Sequence, residues 1–215
     1  MINNKDIERA STMFKQWDLE KRWKQPEDVF INHLKEKVAD SLDVAKLLLD
    51  VMKNQEIILK LLNKEKFNPT LWIMNSSYYS IFFDAQLLLA YDGKKLPENI
   101  EDTHKTVFLA LLYYFIIKGS DLEGKKNVKW EDLKESKLSK ALLMFAEAQQ
   151  ETEELFQGQR AKNSLEDFSA ELEKRRRFTY RINEHAKESM ALTSYQRAIS
   201  FRTIVTEYIE TLKRR

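Results

Sequence analysis

The chain reads as an all-α protein, a single helical bundle of about five to seven helices. Three observations lead there. In 215 residues there are only four glycines and three prolines, so turns are few and the elements between them are long. Apolar residues recur at three- and four-residue spacing over most of the chain rather than in alternation. The longest apolar stretch, Leu71 to Gly93, is too long for a strand and rich in Leu and Ala toward its end.

That stretch, LWIMNSSYYSIFFDAQLLLAYDG, is expected to be the central helix, because it is apolar on nearly every side. Pro69 and Thr70 open it and Asp92-Gly93 close it, with Gly93 free to adopt the left-handed conformation of a helix end. Ser76, Ser77 and Ser80 are small enough to let neighbouring helices approach. Asp84 is the odd member: a carboxylate here must face a partner, a cleft or another chain.

The other elements follow in order. Asn4 to Lys24 carries Ile7, Ala10, Met13, Phe14 and Trp17 at helical spacing and ends at Gln25-Pro26. Asp28 to Asn63 reads as one long helix on Phe30, Leu34, Val38, Leu42, Ala45, Leu48, Leu49 and Met52, with a kink expected between Met52 and Gln55. Asp102 or Thr103 caps a second very apolar helix that runs to about Lys118. Ser136 to about Phe156 forms another, with Gly158 as its break. Ser164 and Asp167 resemble a capping box for a further short helix that leads into the basic run Lys174 to Arg181. The last helix spans about Lys187 to Lys213. Its inner stripe is apolar except for Arg202.

Composition narrows the function. With 43% hydrophobic and 33% charged residues the chain folds and stays in solution, and a net charge of +2 is too small to make the whole surface a polyanion binder. Cysteine is absent, which excludes disulfides, thiolate metal sites and a cysteine nucleophile. The three histidines, His33, His104 and His185, are scattered, so no metal and no other cofactor is expected. There is no glycine-rich phosphate loop and no serine-nucleophile motif. The segment MINNKDIERA lacks a signal core, and Asp84 interrupts the best candidate for a membrane span, so the expectation is a cytoplasmic protein without a membrane partner.

The strongest local charge is Lys174-Arg175-Arg176-Arg177 with Arg181, interleaved with Phe178 and Tyr180. Arginines give phosphate contacts and aromatics give base stacking, a mixture suited to single-stranded RNA. It equally suits a solvated helix end lying against the acidic run Glu147 to Glu154. Arg181 and His185 stand at i and i+4, so in a helix they share a face and could serve as phosphate-stabilising arginine and general base. The alternative is a surface arginine and a histidine paired with a nearby carboxylate. His104 and Lys105 begin a helix, where backbone N–H groups favour anions, which makes them candidates for a phosphate. A capping or hydrogen-bonded histidine is the competing reading.

Three segments in order resemble the HEPN domain family. SYYSIFFDAQLLLAYDG (Ser77 to Gly93), preceded by SLDVAKLLL (Ser41 to Leu49), is similar to the family's second core helix. THKTV (Thr103 to Val107) is similar to the start of its next helix. RRRFTYR (Arg175 to Arg181) precedes a C-terminal helix with spaced alanines and the pair Phe201 and Val205. The resemblance covers about Leu34 to Ile209. It implies an N-terminal helical extension over residues 1–30 and a HEPN-like bundle over 31–215. It also implies a homodimer, RNA as ligand, a toxin–antitoxin or antiviral-defence setting and, in some members, a nucleotidyltransferase-type partner. The ribonuclease branch needs Arg, four to six residues, then His. Before His185 those positions hold Phe178, Thr179 and Tyr180, while Arg181 stands too near and Arg177 too far. Metal-independent endoribonuclease activity is therefore left open. A non-catalytic dimerisation or protein-interaction module is the alternative. Tyr113, Tyr114 and Phe115 point the same way, because three consecutive aromatics cannot all face one core and some must meet another helix or chain.

Overall fold

In the computed structural model the backbone is described for residues 4–63, 67–118, 120, 136–166 and 173–214. Side chains are described for the same residues except 62 and 155–187. The protein is an all-α bundle; among the described residues there are seven α-helices, one π-helical segment and no strand. The α-helices are α1 (Asn4–Leu19), α2 (Asp28–Lys53), α3 (Gln55–Leu62), α4 (Thr70–Tyr91), α5 (Thr103–Leu112), α6 (Lys137–Glu166) and α7 (Glu173–Lys213). The π segment, Tyr113–Ile117, continues α5.

α4 is the axis. Fourteen of its side chains are buried, and it packs against α2, α5, α6 and α7. Its apolarity on most sides is what makes so many neighbours possible. Ile73 joins Ala45 and Leu49 of α2 and Ala191 of α7 in one small apolar cluster. At the other end of α4 the Tyr91 ring lies under both Lys35 of α2 and Lys213 of α7. α7 thus runs parallel to α4 and α2 runs antiparallel. α6 is antiparallel to α7, since Lys137 meets Glu207 and Phe145 meets Phe201, while Glu151 meets Arg197.

Helix ends follow local chemistry. α4 stops in a Schellman motif: Gly93 at φ +75° sends its N–H to Ala90 and Lys94 sends its N–H to Leu89. Asp102 caps α5 by accepting from the Lys105 N–H at 3.2 Å. Thr70 is the first helical residue of α4 rather than its cap, and its N–H is held by the Asn68 side chain at 3.1 Å.

Several expected boundaries are corrected. α1 ends at Leu19, not Lys24. The Asp28-to-Asn63 stretch is two helices, broken inside the interval where the kink is expected, because Asn54 leaves helical geometry and turns its side chain back onto the Asp50 carbonyl. α6 runs through Gly158 and past Ser164, so neither the break nor the capping box operates. Glycine in a helix interior costs about 1 kcal/mol, which a long helix absorbs. The basic run belongs to the same continuous helix as the C-terminal stripe, not to a separate short one.

The three consecutive aromatics have partners within one chain. The π segment carries one extra residue per turn, with the Lys118 N–H reaching the Tyr113 carbonyl five residues back at 2.8 Å. Tyr113 is buried. Tyr114 faces α1 and the following linker, accepting from the Trp23 indole at 2.6 Å and donating to Asp18 at 2.5 Å. Phe115 meets Tyr208 of α7 edge-on. Ile7, Ala10, Phe14 and Trp17 of α1 belong to the same core cluster as α4, α5, α6 and α7.

Candidate functional site

α4 carries the polar chemistry of the interior on one face. Ser77, Ser80 and Asp84, spaced three and four residues apart, are all buried. This face looks into the seam between α2 and α7, the same seam that holds Ile73 at one end and Tyr91 at the other. Arg202 comes across from α7 and places Nη1 3.4 Å from Asp84 Oδ1. Asp84 Oδ2 and both serine hydroxyls have no hydrogen-bond partner among the described residues. Burial pushes the Asp84 carboxyl from its ordinary 3.8 up to about 7, and Arg202 offsets part of that rise. The Arg202 side chain is 38% exposed, so one end of the pair is wet and the other dry.

Next to this face, on the α5 and α6 side of α4, stands a second constellation. The Tyr78 hydroxyl lies 2.6 Å from His104 Nδ1. The His104 ring stacks on Phe82 with centroids 4.1 Å apart and lies edge-on to Tyr79 at 6.0 Å. Burial lowers the His104 pKa, and the nearby carboxylates of Asp102 and Glu153 oppose that shift. The Tyr78 hydroxyl is pushed up by burial, so it stays protonated.

This geometry answers the phosphate candidate at the start of α5. His104 is engaged with Tyr78 and packed among rings, and the Lys105 N–H is already taken by Asp102. The Lys105 ammonium lies 3.9 Å from Asp6 of α1. A hydrogen-bonded, stacked histidine describes the site better than an anion cradle.

Glu147 and Glu151 of the acidic run are occupied by Arg197. Its guanidinium meets Glu151 through two nitrogens, at 2.7 and 3.0 Å, and Glu147 at 3.4 Å. Arg197 clamps α6 to α7 from a largely buried position, a bidentate geometry only arginine can supply.

The side chains of Arg175, Arg176, Arg177, Tyr180, Arg181 and His185 lie outside the described residues. Their backbone belongs to α7. Helical register sets positions 174, 177, 178, 181 and 185 within one sector of roughly 100°, and positions 175 and 176 outside it.

Sequence reasoning noted Arg202 only as a charged interruption of a stripe, and it missed Tyr78 and Arg197. An arginine in an apolar helical stripe is the signal that finds such a partner. Nothing in the local sequence marks Tyr78 or Arg197, because their roles depend on which helix lies opposite. Among the described residues no group of three or more His, Asp or Glu side chains is arranged to hold a metal, and no helix is long and apolar enough to cross a membrane. No protein-family model matches the chain, and neither a curated protein nor a solved structure aligns with it significantly.

Proposed function

We propose that this protein is a HEPN-like helical bundle that binds RNA through the first half of α7, in the toxin–antitoxin or defence setting that the resemblance implies. The observation that supports this reading is the continuity of α7 from Glu173 to Lys213. Four-residue steps place positions 177, 181 and 185 on one helical face, so Arg177 and Arg181 stand where they can contact successive phosphates. Phe178 shares that sector and supplies a stacking ring. Binding rather than cutting is the function proposed, because the spacing before His185 departs from the nuclease pattern.

The test is fluorescence anisotropy with a labelled single-stranded RNA over a series of salt concentrations. Replacing Arg177 and Arg181 by Ala should lower affinity and flatten the salt slope by about two counterions. His185→Ala should leave affinity unchanged and should abolish any cleavage that the wild type displays. Absence of RNA binding at low salt would remove this reading.

A second reading, a non-catalytic dimerisation module, is favoured by apolar side chains left exposed on α2 and α7. Leu48 and Tyr195 pack on one cluster between these helices. Val44 lies one turn from Leu48, and Leu192 and Ile199 flank Tyr195; all three are exposed. This strip, rather than the aromatics of the π segment, is where a second copy or a nucleotidyltransferase-type protein would sit. Ile199→Glu should then reduce the mass measured by light scattering to that of one chain, and an unchanged mass would count against it.

A further inference from the structure

α4 is central, yet one of its faces is partly open to solvent. Trp72 is 60% exposed and Tyr79 36% exposed, with Phe83 partly buried beyond them. At 100° per residue the three positions fall within roughly 40° of one another, so they form a single stripe along the helix. The Tyr79 and Phe83 rings are stacked, with centroids 5.9 Å apart and planes 28° from parallel. His104 borders the stripe at 6.0 Å from Tyr79. A lone surface tryptophan needs no explanation, but an aligned row of aromatic rings on an otherwise buried helix does.

On the His104 side of this stripe stand two carboxylates, Asp102, which caps α5, and Glu153 of α6. Asp102 and Glu153 both act on His104 and on Tyr78 through their charge. Glu153 is exposed and is held by the Gln149 amide at 3.0 Å. Lys105 engages Asp6 of α1. Carboxylates at the border repel phosphate, which disfavours a nucleic-acid strand here. Aromatic faces and carboxylates together attract ammonium and guanidinium groups.

We propose that the Trp72–Tyr79–Phe83 face of α4, with Glu153 and Asp102 at its border, binds a segment of a protein partner that presents lysine or arginine side chains beside apolar ones. The rings take the apolar residues and the stems of the cations, and the carboxylates take the charged heads.

The experiment uses the whole chain and a fluorescein-labelled amphipathic peptide of alternating lysine and leucine pairs, with a labelled single-stranded RNA as the second probe. Wild type should bind the peptide saturably and more weakly as salt rises. Trp72→Ala and Tyr79→Ala should each weaken binding by about tenfold, and Glu153→Gln by a smaller factor. Ser76→Lys, which keeps every ring and sets a positive charge in the stripe between Trp72 and Tyr79, should weaken it as well. Circular dichroism of each variant confirms that the helices persist. Lack of saturable peptide binding, or binding that ignores both Trp72→Ala and Ser76→Lys, overturns the proposal. RNA affinity that falls with Trp72→Ala and Tyr79→Ala while peptide affinity holds also overturns it, and identifies the stripe as a base-stacking shelf.

Discussion

The Asp84 carboxylate meets the Arg202 guanidinium at 3.4 Å through one oxygen, and its other oxygen is buried with no partner among the described residues. A buried charge satisfied on one side is strongly pH-dependent. The folded carboxyl titrates at about 7 against an ordinary 3.8, so folding favours the protonated form. Its contribution to stability is present below about pH 4 and is lost as pH rises through about 7. The span amounts to roughly 4 kcal/mol at most. Urea denaturation from pH 4 to pH 8 should show wild type losing stability on this account. Asp84→Asn should lack that loss and be the more stable protein at pH 8. Parallel curves for the two proteins would contradict the assignment.

His104 works in the opposite direction. Burial lowers its pKa below the ordinary 6.5, so its contribution is present above that value and is lost as pH falls through the folded pKa. Nuclear magnetic resonance of the imidazole carbon-bound protons should show His104 titrating below 6.5. His104→Phe, which keeps a ring over Phe82, should remove this acid sensitivity.

The Tyr114 hydroxyl links α1 and its linker to the π segment by accepting from Trp23 and donating to Asp18. Tyr114→Phe keeps the ring packing and leaves both partners without their bond. A loss of about 1–2 kcal/mol is expected in urea denaturation. Asp18→Asn should cost less, since an amide oxygen still accepts.

α6 passes through Gly158 without a break. Gly158→Ala should therefore stabilise the protein by about 1 kcal/mol, because alanine gains the helical preference that glycine lacks. A fall in the thermal midpoint would mean that the position is not helical.

The fold class was legible because amphipathic spacing and scarcity of turn residues are local properties. Details that were not legible are those in which two distant segments decide together. Gly158 and Ser164 carry the local signature of a boundary, but one glycine is too weak to stop a long helix. Tyr113, Tyr114 and Phe115 could be seen to need another helix or another chain; that α1 and α7 are the helices met by Tyr114 and Phe115 depends on tertiary packing and on the π segment's extra residue per turn. Asp84 could be seen to need company from its sequence context alone. That Arg202 is the group facing it depends on the parallel register of α4 and α7, which no local pattern encodes.

That register has a consequence for how the chain acquires its structure. Asp84 and Arg202 stand 118 positions apart, and the helices carrying them run side by side in the same direction. Parallel neighbours this distant cannot be made by a hairpin. On the ribosome, α2 and α4 emerge and can pair while the seam that will receive α7 is still open to water. Closure of this seam is a contact of high sequence separation, and such contacts make folding slow relative to bundles joined by short loops. Protonation of the buried carboxyl lowers the desolvation cost at which this seam closes.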